Sequence, residues 1–335
     1  MQLKSIIFIV GSSRSGTTMM NRILDNNREI LGLNELHYFG QEWDPGVSPD
    51  ELNQLESIKI SSKLLATAKR GIWGHQPDDR DVAQAKLLLS QAERIDYKNL
   101  YTEVLCSLAE DAGKTMVVDQ TPRNILYVAD ILANYPNAVI LHMVRDPRAV
   151  LLSQRNRWRR RSKGSNEIPW WNRLRVFFNY HPITTTHLWL MAYQKGIEVE
   201  ENSRYMRVRF EDFIESPEQN LKQICSFLKV DYDQKMLQIP RIGSSNLHND
   251  ANKSGISIDV IDVWKTSLPK SDLWICQFIS SSFMSGLGYT LVNISFPVLK
   301  MIPTIFRYPL HVTGILMTNP GIAFKIVKKL GFRNH

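Results

Sequence analysis

Cysteine is scarce in this chain: Cys106, Cys225 and Cys276 lie far apart among 335 residues, with no Cys-x-x-Cys spacing. That excludes a disulfide framework and a zinc ribbon and makes a reducing compartment the default. Long apolar runs are missing as well. The nearest, residues 289–306, is broken by Asn293, Pro297, Lys300 and Pro303, so no membrane span is expected. Residues 1–10 are too short, and too soon followed by Gly-Ser, for a secretory signal; they read as a first strand. No internal repeat occurs, and no RNA-recognition, KH, zinc or helix-turn-helix pattern, so nucleic acid is not an expected partner. Charge is not balanced. With 41 Lys and Arg against 33 Asp and Glu the net charge is +8, which suits an anionic partner wherever the cations cluster.

Apolar residues make up 43% of the chain, enough for a buried core. Four short β-prone runs stand out: Ile6–Val10, Thr115–Val118, Val139–Met143 and Tyr205–Val208. Helical patterns follow them at Thr17–Leu24, Asn124–Ala133, Ala149–Trp158 and Pro217–Leu228. Strand alternating with helix predicts an α/β fold, a parallel sheet covered on both faces. Residues 41–113 read as a polar helical insertion after the first βα unit. Beyond Tyr289 the composition changes to scattered prolines and large apolar residues. The expected division is a catalytic domain over 1–289 and a C-terminal helical appendage over 290–335.

The stretch Gly11-Ser-Ser-Arg-Ser-Gly-Thr-Thr18 follows the first strand and opens the first helix. Free N–H groups at a helix start, with the helix dipole behind them, form an anion site. Gly11 and Gly16 permit a tight turn and close backbone approach. The Gly11-x-x-x-x-Gly16 spacing matches a Walker A frame, but Thr17 stands where that motif has lysine. Thr17 and Thr18 offer hydroxyls instead, and Arg14 a planar, permanently charged fork. A plain Gly/Ser turn is the competing reading.

Ser13-Arg14-Ser15-Gly16-Thr17-Thr18 resembles the 5′-phosphosulfate loop of sulfotransferases that use 3′-phosphoadenosine-5′-phosphosulfate (PAPS). A second stretch agrees. Val139-Ile-Leu-His-Met-Val-Arg-Asp-Pro-Arg-Ala-Val-Leu-Leu-Ser-Gln154 places Arg145 at a strand end and Ser153 eight residues on, similar to that family's 3′-phosphate site. The resemblance covers about residues 5–289. It implies a P-loop-like sheet, PAPS as co-substrate with 3′-phosphoadenosine 5′-phosphate as product, and no metal. Gly243-Ser244-Ser245-Asn246 resembles a later loop that closes over the nucleotide. Two departures are visible: Gln120 stands where many relatives carry lysine, with Arg123 as a replacement cation, and Phe210 where relatives often carry tyrosine.

An acceptor hydroxyl must lose a proton as it attacks, so a base is needed close to sulfur. Glu35 matches the base of the tyrosylprotein and some carbohydrate branches in its distance from the loop arginine, and those branches are the nearest in motif. His37 is the alternative base, its ordinary pKa suiting neutral pH. The densest charge run, Arg155 to Gly164, borders the predicted cleft. Its Arg155, Trp158 and Arg159, with Arg123, are the candidate acceptor contacts, because arginine binds carboxylates or sulfates and aromatic rings stack on sugars. An anionic saccharide is the expected acceptor; a solvated helix surface is the bland alternative. Lys325, Lys328, Lys329 and Arg333 among apolar residues suggest that the tail lies on a membrane, or packs as a flap. With no N-terminal anchor in sight, a cytoplasmic place at the inner membrane face is expected. A small-molecule P-loop kinase and a non-catalytic nucleotide-binding protein are the rival functions; a kinase needs the Walker lysine and a carboxylate for Mg²⁺.

Overall fold

A computed structural model describes residues 2–45, 48, 51–71, 76–90, 95–159, 162–163, 166–167, 169–239 and 260–319. Contacts divide the described residues into two compact units. The first holds residues up to Arg145 and those from Ala192 to Ile239; the second holds Asp146–Met191 and the residues from Val260 on.

In chain order the first unit gives β1 (Ser5–Gly11), α1 (Thr17–Asp25), β2 (Ile30–Gly32), α2 (Gln54–Arg70), α3 (Asp79–Ser90), α4 (Tyr97–Asp111), β3 (Met116–Asp119), a 3-10 helix (Pro122–Tyr127), α5 (Val128–Asn134) and β4 (Ala138–Val144). The chain passes to the second unit with α6 (Pro147–Arg155), a 3-10 helix (Arg157–Arg159), short strands β5 (Ser162–Lys163) and β6 (Asn166–Glu167), α7 (Trp170–Phe178) and most of α8 (Pro182–Ile197). It returns with β7 (Tyr205–Arg209), α9 (Phe210–Glu215) and α10 (Pro217–Leu228), then closes the second unit with α11 (Val263–Ser267), α12 (Lys270–Gly286) and α13 (Val298–Thr318).

Five strands form one parallel sheet in the order β2-β3-β1-β4-β7. β1 is central and every residue of it is buried, which is why it reads as an unbroken apolar run rather than an alternating one. Alternate residues Ile6, Phe8 and Val10 join a core with Tyr38, Phe39, Tyr101, Leu105 and Tyr135. Tyr38 and Tyr101 stack with ring centroids 4.5 Å apart. The expected polar insertion is thus also a core supplier. Leu64 and Leu65 of α2 and Tyr101, Val104 and Leu105 of α4 are buried in that same cluster.

Two expected helices differ from their predicted form. The run Asn124–Ala133 begins as a 3-10 helix, since the Asn124 amide donates to the Thr121 carbonyl three residues back. The run Ala149–Trp158 starts earlier, at Pro147, where Asp146 caps the helix by accepting from the Arg148 amide at 2.8 Å. It ends at Arg155, and the basic run continues as the 3-10 helix, so it is not a straight extension of α6.

In the second unit, Leu151 and Leu152 pack with Trp264, Leu268 and Cys276. The Arg148 guanidinium lies 3.8 Å over the Trp264 ring and pairs with Asp146 at 2.7 Å. All three cysteines are free thiols. Among the described residues no helix is long and apolar enough to cross a membrane.

Candidate active site

Parallel strands end on one edge, and open α/β sheets place their ligands there. Here β1 ends in the Gly11–Gly16 turn, β2 leads toward Glu35, β3 ends at Asp119 and β4 at Val144, next to Arg145. The turn takes three positive φ values: Gly11 at 135°, Arg14 at 79° and Gly16 at 92°. Glycine is required twice. A Cβ on Gly11 would lie 2.3 Å from the Met143 carbonyl oxygen, and one on Gly16 2.5 Å from Cδ2 of Phe210. Gly16 is the N-cap of α1, its own side chain offers no capping group, and the first turn carries no acidic residue. The opening N–H groups of α1 therefore face outward without a side-chain acceptor supplied by Gly16. Within the turn the Ser15 hydroxyl is buried, with no hydrogen-bond partner among the described residues. Ser13 and Thr18 are exposed, and Arg14 is half-buried.

Arg145 is 8% exposed, and its Nη1 donates to the Arg14 carbonyl at 3.2 Å. Its guanidinium carbon lies 4.2 Å over the Phe210 ring. Phe210 thus stacks on one arginine while closing against Gly16, a role that sequence comparison with tyrosine-bearing relatives did not expose. The cation–π contact contributes about 0.5–2 kcal/mol, toward the upper end where water is excluded.

The second half of the edge is a hydrogen-bonded relay. Gln120 Nε2 donates to Thr17 Oγ1 at 3.1 Å, so Gln120 meets the loop; Arg123 is exposed. The neighbouring Thr121 Oγ1 accepts from the backbone amides of Leu36 and His37, at 3.0 and 3.3 Å, and donates to Asp119 Oδ1 at 2.5 Å. Asp119 Oδ2 accepts from Tyr101 at 2.7 Å and Asn124 at 2.9 Å. Burial holds the Asp119 carboxyl above the usual range, while bonds from Thr121, Tyr101 and Asn124 pull the other way. One buried carboxyl thereby fixes the backbone that carries both base candidates. Those two meet each other: a ring nitrogen of His37 lies 3.1 Å from Glu35 Oε2. His37 has φ 51°, a left-handed turn that folds it back toward Glu35. The sequence posed the two as alternatives; the fold makes them a pair.

His142, inside β4, is a different kind of histidine. Burial, with Arg207 adding, pushes it down to about 3, and its Nδ1 lies 2.7 Å from the Tyr205 hydroxyl. It is a neutral core residue.

In the second unit Ser153 is buried on α6. Arg155 and Trp158 line one cavity of about 140 Å³ together with Tyr180, His181, Asp272 and Arg307. Arg155 pairs with Asp272 at 3.2 Å, and Tyr180 donates to the same carboxylate at 2.5 Å. The Arg159 side chain, Ser244, Ser245, Asn246 and the tail cations Lys325, Lys328, Lys329 and Arg333 lie outside the described residues. Among those described, no group of acidic, histidine and cysteine side chains is arranged to hold a metal ion.

Known proteins match this arrangement. A chain from Caenorhabditis briggsae described as a protein-tyrosine sulfotransferase is 23% identical over 301 residues, covering 85% of this chain and 89% of that one. The sulfotransferase domain from the curacin biosynthetic pathway superposes with a TM-score of 0.51 at 22% identity, over 87% of this chain and 100% of that one. The sulfotransferase domain of the Synechococcus PCC 7002 olefin synthase gives 0.50 at 20% identity, over 83% and 95%. These two likenesses carry the fold, a parallel P-loop-like sheet flanked by helices. The family model described as the sulfotransferase family matches residues 6–234, from β1 through the Gly11–Gly16 turn, the Asp119–Thr121 hydrogen bonds and β7, and the chain belongs to that family.

Proposed function

We propose that the chain moves a sulfuryl group from PAPS to a hydroxyl of an anionic saccharide, free or lipid-linked, with Glu35 as general base. The observation that carries this reading is the bond from the Arg145 guanidinium to the Arg14 carbonyl, beside the Glu35–His37 pair on the same sheet edge. The residues present fit the nucleotide. Among the described residues the buried Ser15 hydroxyl has no hydrogen-bond partner, and the first turn of α1 carries no acidic residue that would repel an anion. Arg14, Thr17, Thr18 and the α1 amides would hold the 5′-phosphate end, and Arg145 the 3′-phosphate.

PAPS supplies the sulfuryl group: the acceptor oxygen bonds to sulfur as the bond from sulfur to the 5′-phosphate oxygen breaks. Glu35 takes the acceptor proton, and His37 orients that carboxylate. Arg14 and the α1 amides stabilise the charge left on the phosphate. A sulfuryl group carries less negative charge than a phosphoryl group, so the turn works without the Walker lysine. The Arg155–Trp158 cavity is the proposed place for an acidic sugar: Arg307 for its carboxylate or sulfate, rings for its face, with Arg155 held by Asp272 beside it. Three free thiols suit the reducing, cytoplasmic setting that we propose.

A peptide tyrosine is the second reading, favoured by the C. briggsae relative. Labelled PAPS offered to acidic saccharides, lipid-linked glycans and tyrosine peptides separates the two. Label on saccharide that falls at least tenfold in Arg155→Ala supports the first; label on peptide alone overturns it.

A further inference from the structure

Residues 33–38 form no regular element, yet they carry both base candidates. The ends of this stretch are tied down. The Leu33 amide donates to the Val118 carbonyl of β3 at 3.0 Å, and the buried Tyr38 donates its hydroxyl to the Tyr97 carbonyl at 2.6 Å. Between these anchors the amides of Leu36 and His37 have no strand or helix ladder to join. Both converge on one side-chain oxygen, Thr121 Oγ1. His37 also holds a φ of 51°, which a non-glycine residue keeps only where its surroundings enforce it.

Local chemistry pins that oxygen. Thr121 precedes Pro122, which drives it into extended backbone at φ −108° and ψ 100°, and its β-branched side chain is stiff at χ1. A hydroxyl has one proton and two acceptor sites. The two amides fill the acceptor sites, so the proton must point elsewhere, and Asp119 Oδ1 takes it at 2.5 Å. Asp119 is itself held, because Tyr101 and Asn124 donate to its other oxygen. Every hydrogen-bonding position of the Thr121 hydroxyl is therefore used, with Thr121 1% and Asp119 0% exposed. Burying a carboxyl is unfavourable unless its bonds are filled. Here it secures two amides beside Glu35, whose side chain is 41% exposed.

We infer that Thr121, its hydroxyl aimed by Asp119, is a positioning residue for the Glu35 carboxylate. The inference rests on the reading of Glu35 as general base and deepens it. Without the hydroxyl, the left-handed turn at His37 loses its amide acceptor, and the 3.1 Å contact between His37 and Glu35 goes with it. A base misplaced by about 1 Å loses on the order of 10² in rate, while the nucleotide half of the site keeps its own supports in α1 and β4.

Thr121→Val keeps the shape and removes the hydroxyl; Thr121→Ser keeps the hydroxyl. Three measurements on the full chain test the inference: label transfer from PAPS to acidic saccharides and tyrosine peptides, calorimetric affinity for 3′-phosphoadenosine 5′-phosphate, and amide hydrogen exchange at 36–37. In Thr121→Val kcat should fall about 10–100-fold, with nucleotide affinity within about twofold of wild type and faster exchange at 36–37. Thr121→Ser should recover most of that loss. In the Glu35→Gln background, adding Thr121→Val should cost less than about twofold, because the carboxylate it positions is gone. A merely structural residue would cost the same in both backgrounds, and that result overturns the inference. So does wild-type kcat in Thr121→Val while Glu35→Gln is inactive, or a Thr121→Ser variant as poor as Thr121→Val. Unchanged exchange at 36–37 in Thr121→Val overturns it without any acceptor. If Thr121→Val does not fold, Asp119→Asn takes its place: an amide facing three donors cannot aim the hydroxyl as the carboxylate does, and wild-type kcat there overturns the inference. Full activity in Glu35→Gln instead overturns the base reading, and this inference with it, so the two failures look different.

Discussion

At Glu35 the account is most exposed to a single substitution. The carboxylate is 41% exposed at the side chain and lies 3.1 Å from a ring nitrogen of His37, while the backbone beside it hangs on Thr121 and through it on Asp119. If Glu35 accepts the acceptor proton, Glu35→Gln removes that proton sink and keeps the volume. The expected result is a fall in kcat of about 10²–10⁴-fold with nucleotide affinity within about twofold of wild type. Steady-state kinetics with a nucleotide titration read both, and an equal loss of nucleotide affinity would assign Glu35 to binding instead. Sequence alone named both residues because a base must be ionisable and near the loop. It left them as alternatives because their contact depends on the left-handed φ of His37, a backbone choice that no side chain announces.

The decisive element is the β1–turn–α1 unit, and much of it was legible. A buried central strand reads as an apolar run, and a helix start that binds anions needs glycine and hydroxyl residues around it. Its partners were not legible. Phe210 sits almost 200 residues away at the end of β7 and acts by ring position, touching Gly16 and Arg145 at once. Gln120 was visible only as a departure; its bond to Thr17 appears once β3 lies beside β1. β2 has three residues, too few for a period to show. From this geometry Gly16→Ala is predicted to fail on two counts, a φ of 92° that alanine resists and a Cβ 2.5 Å from the Phe210 ring. A cost of about 1–3 kcal/mol is expected, read as a lower thermal midpoint, together with at least tenfold weaker nucleotide binding. An unchanged midpoint would mean that Phe210 does not close on the turn as described.

Across the whole molecule, the sequence conveyed an α/β sheet and a basic character, and long-range contacts add a grouping that a local pattern does not carry. Strand–helix alternation is a local pattern, whereas the units are set by long-range contacts that recruit 192–239 back to the first unit and 260–319 to the second. The net charge of +8 says only that an anion is welcome; the place we propose for it is where β1 and β4, lying side by side, bring Arg145 onto the Arg14 carbonyl. That juxtaposition separates the sulfotransferase reading from both rivals. A kinase would prefer ATP with Mg²⁺, and a non-catalytic module would not depend on both arginines.

Calorimetric titration with 3′-phosphoadenosine 5′-phosphate, with and without Mg²⁺ and against ATP–Mg²⁺, tests this most directly. One site per chain is expected, indifferent to Mg²⁺ and tighter than ATP. Arg14→Ala and Arg145→Ala should each weaken it about 10–100-fold, as the loss of a charge-assisted phosphate contact implies. Tighter binding of ATP–Mg²⁺, or wild-type affinity in either variant, would contradict the account.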